Sequence, residues 1–244
     1  MAAAQRKPPM AQGTAADGTS LPAHGMTSVM DDLDSRILFI DAHLLVLDKP
    51  AGLAVHPGPR TPRSLEDYLG DLRQGFARQP LPVHRLDRDT SGCLLLARHP
   101  RAHKRCTQLF TAGRIGKTYW ALVDGAPKGA EGMVDAPLLK VSSATEGWRM
   151  VVDPAGQRAV TRWRVLTRGA RSLIEFMPET GRTHQVRVHA ASLGCPIAGD
   201  PVYGAATGPM LLHARRIEVP YVEGAPKVVV EAALPVHWPT GRCE

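Results

Sequence analysis

His84-Arg85-Leu86-Asp87-Arg88-Asp89-Thr90-Ser91-Gly92, followed by the apolar run Leu94 to Ala97, decides how this 244-residue chain folds. The stretch sets one carboxylate between two guanidinium side chains at a turn, just before the backbone enters a segment that reads as a buried strand. Two readings compete. Aspartates at turns cap backbone N–H groups and pair with surface arginines without further purpose. A carboxylate held among cations at the mouth of a buried strand is also a place where chemistry is done. Spacing alone leaves the two even.

Upstream, the short apolar runs Ile37 to Ile40 and Leu44 to Leu47, separated by Asp41-Ala42-His43, predict a strand pair, which Lys49-Pro50-Ala51-Gly52-Leu53 then breaks. Ser64 is placed to cap a short helix whose first turn holds Glu66 and Asp67. Downstream, Pro100 to Ala112 predicts a helix closed by Gly113, and Lys117 to Val123 alternates as a strand. Further strands are expected at Ala159 to Leu166, Ser172 to Met177, Leu211 to Val219 and Val228 to Ala232, with a helix from about Thr183 to Leu193 ended by Gly194. Many strands, few helices and no regular βαβ alternation give an α+β class built on a mostly antiparallel sheet with flanking helices. No repeat at a fixed period is visible.

Hydrophobic residues make up 43% of the chain, enough for a sizeable core. Residues 1–34, rich in Ala, Gly, Pro, Ser and Thr without periodicity, are expected to be a disordered tail ahead of one catalytic domain over 35–244. With neither a bilayer-spanning apolar run nor a leader-like start, a soluble cytoplasmic protein is expected, without a membrane role. The four cysteines, Cys93, Cys106, Cys195 and Cys243, form no CxxC pair, as suits reduced thiols. His99, His103 and Cys106 share a helix face, but three such groups on an Arg/Lys-rich helix are more often solvated or packed than ligating, so no metal is expected.

The formal charge is +7, unevenly spread. The first 35 residues set Arg6 and Lys7 against Asp17, Asp31, Asp32 and Asp34, a deficit of two, so the remainder carries +9. A basic domain attracts polyanions, RNA among them, although charge also serves solubility alone. Hydrolase and nucleotide-binding patterns fail. Gly113-Arg114-Ile115-Gly116-Lys117-Thr118 has two spacers where a phosphate loop needs four, and neither a GxSxG elbow nor an HExxH helix occurs.

The opening stretch resembles the HRLDxxTSG signature of the RluA-type pseudouridine synthases. The likeness runs in the family's order through Lys49-Pro50-Ala51-Gly52, Lys117-Thr118-Tyr119-Trp120-Ala121-Leu122, Thr180-Gly181-Arg182-Thr183-His184-Gln185-Val186-Arg187-Val188-His189, Gly199-Asp200-Pro201-Val202-Tyr203-Gly204 and Leu211-Leu212-His213-Ala214. It implies the pseudouridine synthase fold with a central active-site cleft, and isomerisation of a uridine in tRNA or rRNA without a cofactor. The chain departs from many relatives in showing no recognisable small RNA-binding module ahead of the catalytic domain, which resembles the shorter family members, and a monomer without an obligatory protein partner is expected.

By this resemblance Asp87 is the catalytic carboxylate, Arg182 its arginine partner, and Tyr119 the aromatic ring against the target uracil. Arg182 could instead be a helix-entry arginine bonded to a carbonyl or a surface acid, and Tyr119 an ordinary core aromatic. Arg85 is expected to fill the space left by a flipped nucleotide or to grip a phosphate, with His84 and Thr90 beside it. Lys49, Arg88, Lys117 and Leu212 are expected to complete the RNA-contacting surface. The alternative is a catalytically silent RNA-binding protein on the same fold.

Overall fold

The computed structural model describes residues 32–58, 61, 63–143, 147–236 and 238. The expected tail over 1–34 therefore lies mostly outside the described residues, but its end does not. Leu33 is buried in the core, and Asp34–Arg36 forms a 3₁₀ turn leading into the first strand.

The main sheet has ten strands. In chain order the strands are β1 (Ile37–Ile40), β2 (Leu44–Lys49), β3 (Leu81–Pro82), β4 (Ser91–Ala97), β5 (Gly116–Asp124), β6 (Glu131–Asp135), β7 (Leu138–Ser143), β8 (Gly147–Val152), β9 (Val160–Thr167), β10 (Arg171–Pro178), β11 (Leu212–Val219) and β12 (Val228–Glu231). The main sheet runs β1-β2-β4-β11-β5-β10-β9-β6, with β3 added to β4 and β12 to β11, while β7 and β8 pair only with each other. Every pairing is antiparallel except β4 with β11. The class is α+β, as expected.

The centre of this sheet is buried on both faces. In β2 and β4, Leu45, Leu47, Leu94 and Leu96 pack on one side with Leu53, Leu65 and Leu86, while Leu44, Val46, Cys93 and Leu95 pack on the other against Cys106 and Leu109. This is why Leu94 to Ala97 reads as a continuous apolar run instead of an alternating one. The first helix, α1 (Pro100–Thr111), starts with proline at its first position, and the His99 ring caps it by accepting the Ala102 N–H at 3.1 Å. His99, His103 and Cys106 do not gather: the described residues hold no group of three potential metal ligands.

Helix α2 (Gln185–Ser192) is shorter than expected and buried nearly throughout, because both flanks are covered. Val186 and Ala190 pack on Phe176 and Ile174, whereas Val188 packs on Leu138, Met150 and Ala159. The three strands β6, β7 and β8 were not expected from the sequence. Their exposed, Gly- and Ser-containing residues lack the apolar runs that marked the others.

Candidate active site

The loop that carries Asp87 is fixed at both ends by burial and hydrogen bonds. Before it, His84 Nε2 accepts the Leu95 N–H at 2.9 Å and its ring stacks on Phe110, so the segment is tied to β4. Burial pushes the His84 imidazole down to about 3, in keeping with its acceptor role as a neutral ring. Leu86 anchors in the core. After Asp87, the Thr90 N–H donates to the Asp87 carbonyl at 3.1 Å, closing the turn. Ser91 Oγ then donates to His213 Nδ1 at 2.8 Å, joining β4 to β11.

Gly92 shows why the stretch needs a glycine. Its φ is +101°, and an added Cβ would lie 2.3 Å from the Ala214 carbonyl oxygen. Only glycine lets β4 and β11 approach this closely at the one parallel pairing of the sheet.

Behind the loop lies Lys49. It is fully buried, and its ammonium donates to the carbonyls of Pro50, Leu53 and Arg88 at 2.8, 2.7 and 3.0 Å. Burial pulls its pKa down to about 7, against the attraction of Asp89, Asp87 and Asp48. The expectation that Lys49 touches RNA is corrected: a side chain with no exposed surface, its three donors spent on carbonyls, holds the Asp87 loop from within.

Asp87 itself lines a cavity of about 280 Å³ together with Tyr119, Thr90, Leu212 and the segment 178–187. Its Oδ2 receives Arg187 Nη1 at 3.1 Å, and His184 Nε2 stands 3.9 Å from the same oxygen. Among the described residues no hydrogen bond or ion pair reaches Oδ1, so one oxygen is clamped and the other is not.

Arg187, not Arg182, is thus the arginine that meets Asp87. Its guanidinium is buried, and it also binds Asp200 bidentately through Nε at 2.7 Å and Nη2 at 2.8 Å. Asp200 accepts the backbone N–H groups of Val202 and Tyr203 as well. Its carboxyl stays below the usual range because these bonds outweigh the desolvation that opposes them. The Arg187 pKa is raised in turn, the two carboxylates overcoming burial. Arg182 lines the cavity, but its Nε donates to the Arg158 carbonyl at 3.1 Å. That is the helix-entry role weighed as its alternative.

Gln185 braces the entry to α2: its amide oxygen accepts Thr180 Oγ1 and the Arg182 N–H, and its amide nitrogen donates to Thr161 and Val160. His184, just before it, has φ +53°, a left-handed conformation that is strained for a residue with a Cβ. It is held by its neighbours. The Tyr203 hydroxyl accepts the Met150 N–H at 3.0 Å and so has its own proton for His184 Nδ1, 2.9 Å away. In the tautomer in which Nδ1 accepts from Tyr203, Nε2 carries the ring proton, 3.9 Å from Asp87 Oδ2. Burial lowers the His184 pKa, which keeps the ring neutral.

The other expected residues fall in different places. Tyr119 sits on β5 between two core clusters and at the cavity wall, and burial raises its hydroxyl pKa, so the phenol stays protonated. Lys117 lines the cavity and donates to the Thr180 carbonyl at 2.8 Å, with its pKa pulled down to about 8 by burial and Arg182. Arg85 is exposed at the cavity rim. Arg88 is exposed and pairs with Asp89. Its carbonyl matters more than its side chain, since it receives Lys49 and Gly52.

Arg187, Asp200, His184 and Tyr203 lay within quoted segments without being singled out. One signal was available for Arg187: a charged residue between valines in an otherwise apolar turn of helix is buried only when paired.

Residues 43–192 match the family described as RNA pseudouridylate synthase. An uncharacterized RNA pseudouridine synthase of Zymomonas mobilis is 52% identical, the match covering 84% of this chain and 96% of that protein. Ribosomal large subunit pseudouridine synthase C of Vibrio cholerae is 37% identical, with 88% and 71% covered. Among solved structures, human RNA pseudouridylate synthase domain containing 4 superposes with a TM-score of 0.72 at 28% identity, covering 86% of this chain and 92% of that one.

Proposed function

This chain belongs to the RNA pseudouridylate synthase family and isomerises uridine in RNA, and on that premise we propose that Asp87 is its catalytic carboxylate. The reaction breaks the bond between uracil N1 and the ribose C1′, forms one from C5 to C1′, and moves the C5 proton off as N1 gains one. Atoms and electrons are the same at start and finish, so the chemistry calls for a positioned carboxylate and not for a redox group.

The observation that carries this reading is the asymmetry of Asp87 at the cavity, with Oδ2 held by Arg187 and Oδ1 given no hydrogen bond by the described residues. As positive character develops at the sugar, an ionised oxygen is what the site must supply, as in glycoside cleavage. Arg187 favours that ionised form and fixes its direction before substrate arrives. Tyr119 supports the detached uracil by stacking, worth about 1–3 kcal/mol for a base on an aromatic ring. A stacked uridine cannot present its sugar and base edge to Asp87, so the nucleotide is flipped out of its helix or loop, with Arg85 at the rim replacing it.

The substrate in this reading is a structured tRNA or rRNA, with rRNA favoured by relatives named for the ribosomal large subunit. The enzyme acts as a cytoplasmic monomer. Incubation with unmodified total RNA, followed by carbodiimide labelling and primer extension, tests it. The wild-type protein makes new pseudouridine stops, and Asp87→Asn makes none while still binding RNA. Turnover by Asp87→Asn would overturn the assignment, and RNA binding without product by the wild type would favour the silent alternative.

A further inference from the structure

The hairpin of β7 and β8 is anchored at its base. Leu138 and Met150 are buried against Val188 and Tyr203. Gly156 packs so closely on Leu138 that an added Cβ would lie 2.3 Å from its carbonyl carbon. From this fixed base, Lys140 stands directly opposite Met150 in the register and Trp148 one step further out, all three on the same face.

Trp148 is 46% exposed, whereas Trp163 and Trp238 are buried and Trp120 is half-buried. A large aromatic side chain left in water forgoes burial that the rest of the core takes. Its ring lies against His184, with centroids 5.0 Å apart and planes tilted by 31°, and the Lys140 ammonium is 4.9 Å from its centre. His184 in turn faces Asp87. Tyr203, His184 and Trp148 therefore make a continuous aromatic wall leading outward from the catalytic carboxylate, ending in a cation.

We propose that Trp148 and Lys140 form a second nucleotide subsite, in which the indole stacks the base next to the flipped uridine and Lys140 moves from the ring to the adjoining phosphate. The inference rests on Asp87 being the catalytic centre, since that fixes where the flipped nucleotide lies. An aromatic face with a mobile cation suits this occupant, because every base offers a π face and every linkage a phosphate.

The test uses a transcribed RNA carrying a uridine at which the wild-type enzyme makes pseudouridine. A second version of it has abasic nucleotides on both sides of the target. On the intact RNA, Trp148→Ala raises KM about tenfold, more than it lowers kcat, and Trp148→Phe restores most of the loss. On the abasic RNA, wild type and Trp148→Ala have equal KM. RNA binding quenches tryptophan emission in Asp87→Asn, and the quench is lost when Trp148→Phe is added. An equal penalty on both RNAs, or an unchanged quench, overturns the subsite. Failure of the underlying reading is separately visible as turnover by Asp87→Asn.

Discussion

Two buried cations flank Asp87, and they are satisfied in opposite ways. Lys49 gives its three donors to backbone carbonyls and has no carboxylate within ion-pair distance among the described residues, so burial dominates and its pKa falls. Arg187 is locked between two carboxylates, so pairing dominates and its pKa rises. A lysine can point three N–H bonds at a turn's carbonyls, but only a planar guanidinium can hold Asp200 bidentately and still extend Nη1 to Asp87. The first cation shapes the loop; the second holds the carboxylate proposed to react.

Removing each cation should separate these roles, and the largest effect belongs to Arg187. Arg187→Ala leaves Asp200 buried without its partner, costing about 3–5 kcal/mol in urea unfolding, as truncated buried pairs do. Turnover per folded molecule is expected to drop by about three orders of magnitude, and Arg187→Lys should recover little of it. Lys49→Met leaves three carbonyls without a donor and costs about 3 kcal/mol. Its turnover per folded molecule falls less than tenfold. Equal losses of turnover in the two variants would erase the distinction.

A smaller effect sharpens the contrast between paired and unpaired buried groups. His213 is fully buried, accepts from Ser91 Oγ and donates Nε2–H to the Ala232 carbonyl, and has no acid partner among the described residues; burial pushes it down to about 4. Because the unfolded chain takes up this proton near pH 6.5 and the folded one does not until about pH 4, stability is lost as pH falls through that window. From pH 6.5 to 5 the loss is about 2 kcal/mol. His213→Gln should flatten this part of the pH profile measured by urea unfolding at constant ionic strength.

The sequence was legible where local patterns carry information. The runs of β2 and β4, the proline and glycine bounding α1, and the turn around Asp87 all announce themselves within ten residues. The strands β6 to β8 do not, because they are half-exposed and owe their form to pairing with each other and with β9. The same limit explains the arginine. Arg182 and Arg187 are five residues apart, and which one reaches across a hundred positions to Asp87 depends on the direction of α2 and on Asp200 beyond it. Lys49 was misplaced for a related reason: a lysine beside Pro50 reads as a surface residue until the loop closes over it.

Arg182 offers the smallest and most discriminating change. Its side chain donates to the Arg158 carbonyl at the surface, and it stands close enough to Lys117 to hold that lysine's pKa down. Arg182→Ala removes no buried partner, so stability should shift by less than about 0.5 kcal/mol. Freed of its neighbour's charge, Lys117 should titrate higher than about 8, shifting the alkaline limb of the RNA-binding profile upward. Losing one cation of the cavity lining should reduce the salt dependence of RNA binding by about one unit of slope or less, with turnover at saturating RNA little changed. A collapse of turnover in Arg182→Ala, comparable with that of Arg187→Ala, would mean that the guanidinium acting on Asp87 during the reaction is not the one that clamps it in the free enzyme.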